Sequence, residues 1–198
     1  MSEIEHTAAQ TGAKTKAFRL KKTVALVGMM GAGKTAVGRA VAAKIGVPFL
    51  DSDAEIEAAA NLTVPEIFQR DGEAFFRKRE AEVIRRLLEH HRGILSTGGG
   101  AYLAEVNRSN ISDKGVAVWL DADLDLLWTR VRHKDSRPLL RTDNPKRTLS
   151  EIFAARTPIY RLAELRVPCE AKISIEAMAD RVIDTLLMRP DVLERTHD

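Results

Sequence analysis

The octapeptide Gly28-Met29-Met30-Gly31-Ala32-Gly33-Lys34-Thr35 constrains this chain more than any other stretch. An apolar run, Thr23-Val24-Ala25-Leu26-Val27, precedes it, and a pattern with Val37, Val41 and Ile45 on one helical face follows. Strand, glycine loop and helix in that order are the context in which G-x-x-x-x-G-K-[ST] reads as a phosphate cradle. Glycines let the backbone wrap an anion, so that successive N–H groups and the positive end of the helix dipole converge on it. Lys34 then reaches the β- and γ-phosphates, and the Thr35 hydroxyl meets a Mg²⁺. Composition alone yields such a match in roughly 1% of chains this long. The bland reading, a glycine turn at an ordinary helix start, lacks support from the flanking strand and helix, and a nucleoside triphosphate is the expected ligand.

Further strands follow the same grammar. Val47-Pro48-Phe49-Leu50 runs into Asp51-Ser52-Asp53, Gly93-Ile94-Leu95-Ser96 breaks at Thr97-Gly98-Gly99-Gly100, Val116 to Leu120 is continuously apolar, and a last strand falls at about 166–169. Between them the spacing predicts helices at about 34–45, 73–90, 123–131, 149–165 and 175–188, with a capping box at Thr63-Val64-Pro65-Glu66. Apolar strands alternating with helices imply an α/β fold, a parallel sheet covered on both faces. Ligands in such sheets gather at the carboxyl ends of the strands. Residues 1–22 are polar and aperiodic, so they read as a basic, disordered extension, and 189–198 as a tail; 132–146 has the composition of a mobile flap.

At 198 residues, 44% apolar and 30% charged, the chain suits one soluble domain. No apolar run is long enough to span a bilayer, and no secretory leader is evident. The single cysteine, Cys169, fits a reducing cytoplasm and reads as a small core residue. His90 and His91 are adjacent and cannot share a helical face, and His6, His133 and His197 have no evident partners, so no transition-metal site is expected. The net charge of +3 resides in the first 22 residues, where Lys14, Lys16, Arg19, Lys21 and Lys22 outnumber Glu3 and Glu5 by three. Removing those from totals of 31 and 28 leaves 26 basic and 26 acidic side chains in the body, which argues against a polynucleotide partner.

Three features fall at one sheet edge: the glycine loop, the Asp51/Asp53 pair and the glycine triplet. Two carboxylates at i, i+2 on extended chain point the same way. Beside a nucleotide they suit holding Mg²⁺ and taking a proton from an attacking hydroxyl, while helix capping is the plainer role for either one. Gly98-Gly99-Gly100 reads either as a turn or as backbone brought close to a small polar substrate. Arg77 lies among Arg70, Lys78, Arg79, Arg85 and Arg86, so a solvated basic face is its default reading, though Glu80 is placed to hold it. Arg137, before Pro138 in the flap, is positioned to bring a cation onto a transferring phosphoryl group.

Taken together, Gly28 to Thr35, Asp51-Ser-Asp53, Phe76-Arg77-Lys-Arg-Glu80, Thr97-Gly-Gly-Gly100, Arg137-Pro-Leu-Leu140 and Arg156-x-x-x-Tyr160 resemble the shikimate kinase family in order and spacing over about residues 23–188. The resemblance implies a P-loop kinase fold of the nucleoside monophosphate kinase type, with a five-stranded parallel sheet ordered 2-3-1-4-5 between helical layers and a lid at about 132–146. It implies transfer of the ATP γ-phosphoryl group to the 3-hydroxyl of shikimate, in the route to chorismate and the aromatic amino acids. ATP would be held by Gly31, Ala32, Gly33, Lys34, Thr35, Ala36, Arg130 and Arg137, with Arg130 against adenine. Mg²⁺ would sit on Thr35 directly and on Asp51 through water. Asp53 would be substrate ligand and base, acting with Lys34 and Arg137. Arg77 and Arg156 would grip the substrate carboxylate, Gly98, Gly99 and Gly100 would offer backbone, and Phe68 and Phe76 apolar walls. The loop near Lys172-Ile173-Ser174 and the basic extension depart from the family's pattern. The expected protein is a cytoplasmic monomer without membrane or nucleic-acid partners. Rival readings are another small-molecule kinase of this fold, such as a gluconate kinase, and a nucleotide switch that hydrolyses ATP without an acceptor.

Overall fold

The computed structural model describes residues 17–133 and 138–196. In chain order its elements are β1 (Phe18–Leu20), β2 (Thr23–Val27), α1 (Lys34–Ile45), β3 (Phe49–Asp51), α2 (Ser52–Ala60), α3 (Val64–His90) and β4 (Ile94–Ser96). There follow α4 (Glu105–Lys114), β5 (Gly115–Asp121), α5 (Leu124–Val131), α6 (Pro145–Tyr160), β6 (Leu165–Pro168), α7 (Ile175–Leu187) and β7 (Leu193–Arg195). Five strands form one parallel sheet in the order β3-β4-β2-β5-β6. Counting β2 as the first strand, this is the expected 2-3-1-4-5 order. All five residues of β2 are buried although successive side chains point to opposite faces, so both faces are covered. Helix α1 packs against α7, while α3 packs on α2 and α4, and α4 on β5.

The helix boundaries follow from the chain's own punctuation. Helix α1 ends at Gly46, whose N–H donates to the Ala42 carbonyl. Thr63 and Glu66 cap α3 reciprocally, with Pro65 in the first turn. Gly72, at φ +84° and ψ 171°, interrupts α3, and the segment beyond it matches the helix predicted over 73–90. That segment buries Phe76, Val83, Ile84 and Leu87. Two helices escape the periodicity: α2 is alanine-rich, and α4 buries only Asn107 and Ile111, so neither carries an apolar stripe. Helix α6 starts four residues earlier than predicted because the Asn144 side chain caps it, accepting from the Arg147 N–H at 3.1 Å.

The two chain ends differ from the sequence reading. Strand β1 pairs antiparallel with β7, placing Phe18 opposite Arg195 and Leu20 opposite Leu193. Leu20 and Leu193 are buried, so residues read as an extension and a tail contribute to the core. Strands three residues long, paired across almost the whole chain, leave no local periodicity to detect. Part of the N-terminal basic charge is consumed here: Lys21 meets Glu194 at 2.6 Å and Lys22 meets Asp191 at 3.0 Å. Of the predicted flap, Pro138–Leu140 forms a 3-10 turn with Leu140 buried, and residues 145 and 146 open α6. Arg137 lies outside the described residues. No described helix is long and apolar enough to cross a membrane.

Candidate active site

Strand β2 ends at Val27, and Gly28 to Gly33 turn back over its carboxyl end to open α1. The loop needs glycine at Gly31, where φ is +83° and a Cβ would lie 2.7 Å from Val131 Cγ1. Two cations brace the loop's carbonyl groups. The buried Lys34 donates from Nζ to Gly28 O at 2.8 Å and Met29 O at 3.0 Å. Arg130, from α5, donates from Nη1 to Gly31 O at 3.1 Å and Ala32 O at 3.3 Å. Thr35 Oγ1 stands 3.3 Å from Ser96 Oγ, at the end of the neighbouring strand β4.

The Asp51/Asp53 pair reaches the same edge by a route other than extended chain. Helix α2 begins at Ser52, so only Asp51 ends the strand, and its Oδ1 caps that helix by accepting from the Ala54 N–H at 3.1 Å. Asp53 sits in the first helical turn. Its Oδ1 is buried without a hydrogen-bond partner among the described residues. Burial, and secondarily the Asp51 charge, push its carboxyl above the usual carboxylate range, against the pull of Lys34 and Arg77. A raised proton affinity suits a proton acceptor.

Gly98, Gly99 and Gly100 are where the predicted acceptor residues meet. A Cβ on Gly98 would lie 2.8 Å from Asp53 Oδ1 and 3.2 Å from Glu80 Oε1; one on Gly100 would lie 2.6 Å from Arg77 Nη2. Backbone without side chains is required for that approach. Arg77 Nη1 donates to Glu80 Oε2 at 2.9 Å, and its guanidinium carbon lies 5.3 Å from the Phe76 ring centre. Glu80 is 1% exposed, and its Oε1 has no hydrogen-bond partner among the described residues. Burial raises its proton affinity despite the Arg77 contact, which pulls the other way. From α6, Arg156 Nη1 donates to Gly99 O at 3.3 Å and Tyr160 Oη donates to the same oxygen at 2.6 Å. Phe68 and Phe76 pack with their rings tilted by 40° and their centres 4.7 Å apart.

A cavity of about 530 Å³ runs along this edge. Gly31, Ala32, Gly33, Lys34, Thr35 and Ala36 line it together with Asp51, Asp53, Gly98, Gly99 and Arg130. Arg77, Arg156, Phe68 and Phe76 do not line it; Arg77 and Arg156 touch the glycine segment that forms its end. Its other end has a wall that spacing did not anticipate: Cys169, Ile173, Ile175 and Met178. Cys169 is buried in the core as expected, and it also lines the cavity because it directly follows β6 at the carboxyl end of the sheet. Burial pushes its thiol up to about 11, so it stays protonated there.

A glycine cradle opening a helix at the carboxyl end of the central parallel strand, with carboxylates at the β3–α2 junction two strands away and guanidinium groups beyond, defines a P-loop kinase for a small acceptor. A family model for shikimate kinase matches residues 30–187. The shikimate kinase of Ruegeria pomeroyi is 63% identical over 98% of this chain and 99% of its own length. That of Cereibacter sphaeroides is 60% identical over 89% of this chain and 88% of its own. Among solved structures, shikimate kinase from Acinetobacter baumannii in complex with shikimate superposes with a TM-score of 0.79 at 36% identity, covering 84% of this chain and 93% of that one. The chain belongs to the shikimate kinase family, and it is an ATP-dependent kinase.

Proposed function

We propose that this enzyme phosphorylates the 3-hydroxyl of shikimate with the nucleotide at the Lys34 end of the cavity and the acid at the glycine-triplet end. The observation that carries the assignment of roles is the convergence of Asp53, Arg77 and Arg156 on Gly98–Gly100, next to the phosphate cradle. Lys34 and the loop amides neutralise the phosphates, and Arg130 steadies the loop beneath them. Arg77 and Arg156 hold the acceptor carboxylate, where a planar guanidinium matches a planar anion. Phe76, against the Arg77 guanidinium, and its neighbour Phe68 supply apolar surface behind that grip, and Arg137 closes over the phosphates.

The acceptor hydroxyl then attacks the γ-phosphorus, the bond from that phosphorus to the bridging oxygen breaks, and ADP leaves. The hydroxyl proton passes to Asp53, whose raised proton affinity suits it. Thr35 Oγ1 and the carboxylate of Asp51 both line the cavity, and such hard oxygen donors fit Mg²⁺, which retains waters and phosphate oxygens alongside one or two protein ligands. A Mg²⁺ held there would supply positive charge against that developing on the phosphates. A monomer in the cytoplasm fits a site built within one chain and a single reduced cysteine.

Variants separate the roles. Lys34→Ala lowers mainly kcat, because phosphate charge grows toward the transition state. Arg77→Ala or Arg156→Ala raises mainly the shikimate KM, since a carboxylate grip serves ground and transition states alike. Unchanged shikimate KM in both arginine variants would refute the carboxylate role.

A further inference from the structure

The glycine triplet contributes no side chains, so whatever fixes it comes from elsewhere. Its ends abut charged groups, Asp53 and Glu80 at Gly98 and Arg77 at Gly100. Its middle carbonyl, Gly99 O, takes two donors from α6, one turn apart and so on one helix face. These two donors differ in kind. Tyr160 is 1% exposed, and its ring stacks on Trp119 of β5 at 6.5 Å and 26°, so the core fixes where its hydroxyl points. Its bond to Gly99 O is short, at 2.6 Å. Arg156 hangs on a long flexible stem, and its bond to the same oxygen is long, at 3.3 Å.

We propose that Tyr160 is a positioning residue of the acceptor site, its hydroxyl holding the Gly99 carbonyl so that Arg156 can leave that carbonyl for the substrate carboxylate. The inference rests on the carboxylate role proposed above for Arg156. A half-buried carbonyl that loses its last donor incurs a desolvation cost, and ligand binding would carry that cost each time Arg156 turned away. With Tyr160 in place the carbonyl remains bonded, and the guanidinium's donors are available to a new anion. Tyr160 also prevents the flexible triplet from following Arg156, which keeps Gly98 against Asp53 and Gly100 against Arg77.

Tyr160→Phe tests this, because it keeps the ring and its stack on Trp119 and removes one oxygen. Steady-state kinetics should show the shikimate KM raised about three- to tenfold, the size of one lost hydrogen bond, with kcat and the ATP KM within about twofold of the parent. In an Arg156→Ala background the same substitution should leave the shikimate KM unmoved, because no guanidinium remains to be released. An unchanged shikimate KM in the single variant would overturn the proposal. So would equal factors in both backgrounds, or a parallel rise in the ATP KM, which marks a general structural role. If Arg156→Ala alone leaves the shikimate KM unchanged, the carboxylate reading fails first, and this inference falls with it.

Discussion

Three adjacent glycines should respond to one added methyl group in three different ways. None of Gly98, Gly99 and Gly100 has left-handed backbone, and Gly100 sits at φ −99°, so alanine is sterically admissible in the main chain. What differs is the neighbour each Cβ would meet. At Gly100 it is Arg77 Nη2 at 2.6 Å, so the guanidinium must retreat about 0.8 Å to reach the 3.4 Å of ordinary contact. That shift degrades its 2.9 Å bond to Glu80 and its aim at the acceptor. A hydrogen bond to a charged group contributes about 1.5–3 kcal/mol, and losing roughly half of it raises the shikimate KM about four- to twelvefold. At Gly98 the methyl would press on Asp53 Oδ1 at 2.8 Å, so Gly98→Ala should lower kcat, by up to about a hundredfold for a displacement near 1 Å. At Gly99 the nearest protein atom is Arg156 Nη1 at 3.7 Å, already ordinary contact, so Gly99→Ala should leave kcat and the ATP KM within about twofold of the parent. ADP-release kinetics with shikimate and ATP varied in turn, together with thermal unfolding, read the series. Melting temperatures should hold within about 4 °C, since the clashes fall on side-chain ends rather than backbone. Equal effects at all three positions, or a parent-like shikimate KM in Gly100→Ala, would refute the reasoning.

Other consequences follow from buried groups and from the paired ends. Glu80 binds its proton more tightly folded than unfolded, where the ordinary value is 4.5, because burial outweighs the Arg77 contact. Its stabilising contribution is therefore full below that value and is lost as pH rises through the higher folded one. Glu80→Gln stays neutral throughout, so its melting temperature should exceed the parent's at pH 7 and the gap should close at acidic pH, while the shikimate KM rises because Arg77 loses a charged partner. A gap independent of pH would contradict this. Arg130→Ala removes both donors to the loop carbonyls and should raise the ATP KM about three- to tenfold with the shikimate KM unchanged, read in the same ADP assay. Leu193→Ala should cost about 2–5 kcal/mol in denaturant unfolding, as a core leucine does and a tail residue does not.

Much of this molecule is legible in its sequence because the parallel sheet writes each strand as a continuous apolar run, with its functional groups directly after it. Gly28–Thr35, Asp51 and Gly98–Gly100 are all found this way, whereas the strand order is implied only by the family resemblance that these motifs carry. What escapes is whatever depends on partners distant in the chain. Phe18–Leu20 acquires meaning only beside Leu193–Arg195, and α2 and α4 lack a stripe because little of either is buried. Asp53 illustrates a subtler case: the sequence suggests two carboxylates on extended chain, whereas the Asp51 side chain starts a helix between them. Cys169 reads as core and Tyr160 only as the end of a motif, and only the fold reveals that one faces the cavity and the other holds the Gly99 carbonyl.

The central claim is that one carboxylate-bearing hydroxy acid, gripped beside the phosphate cradle, is the phosphoryl acceptor. The direct measurement is ADP release from ATP and Mg²⁺ with shikimate, its methyl ester, quinate, gluconate or a nucleoside monophosphate as the only acceptor. Rapid release with shikimate, and little with its ester, with gluconate or with the nucleotide, is the predicted result. Equal release without any acid, or undiminished turnover of the ester, would contradict it.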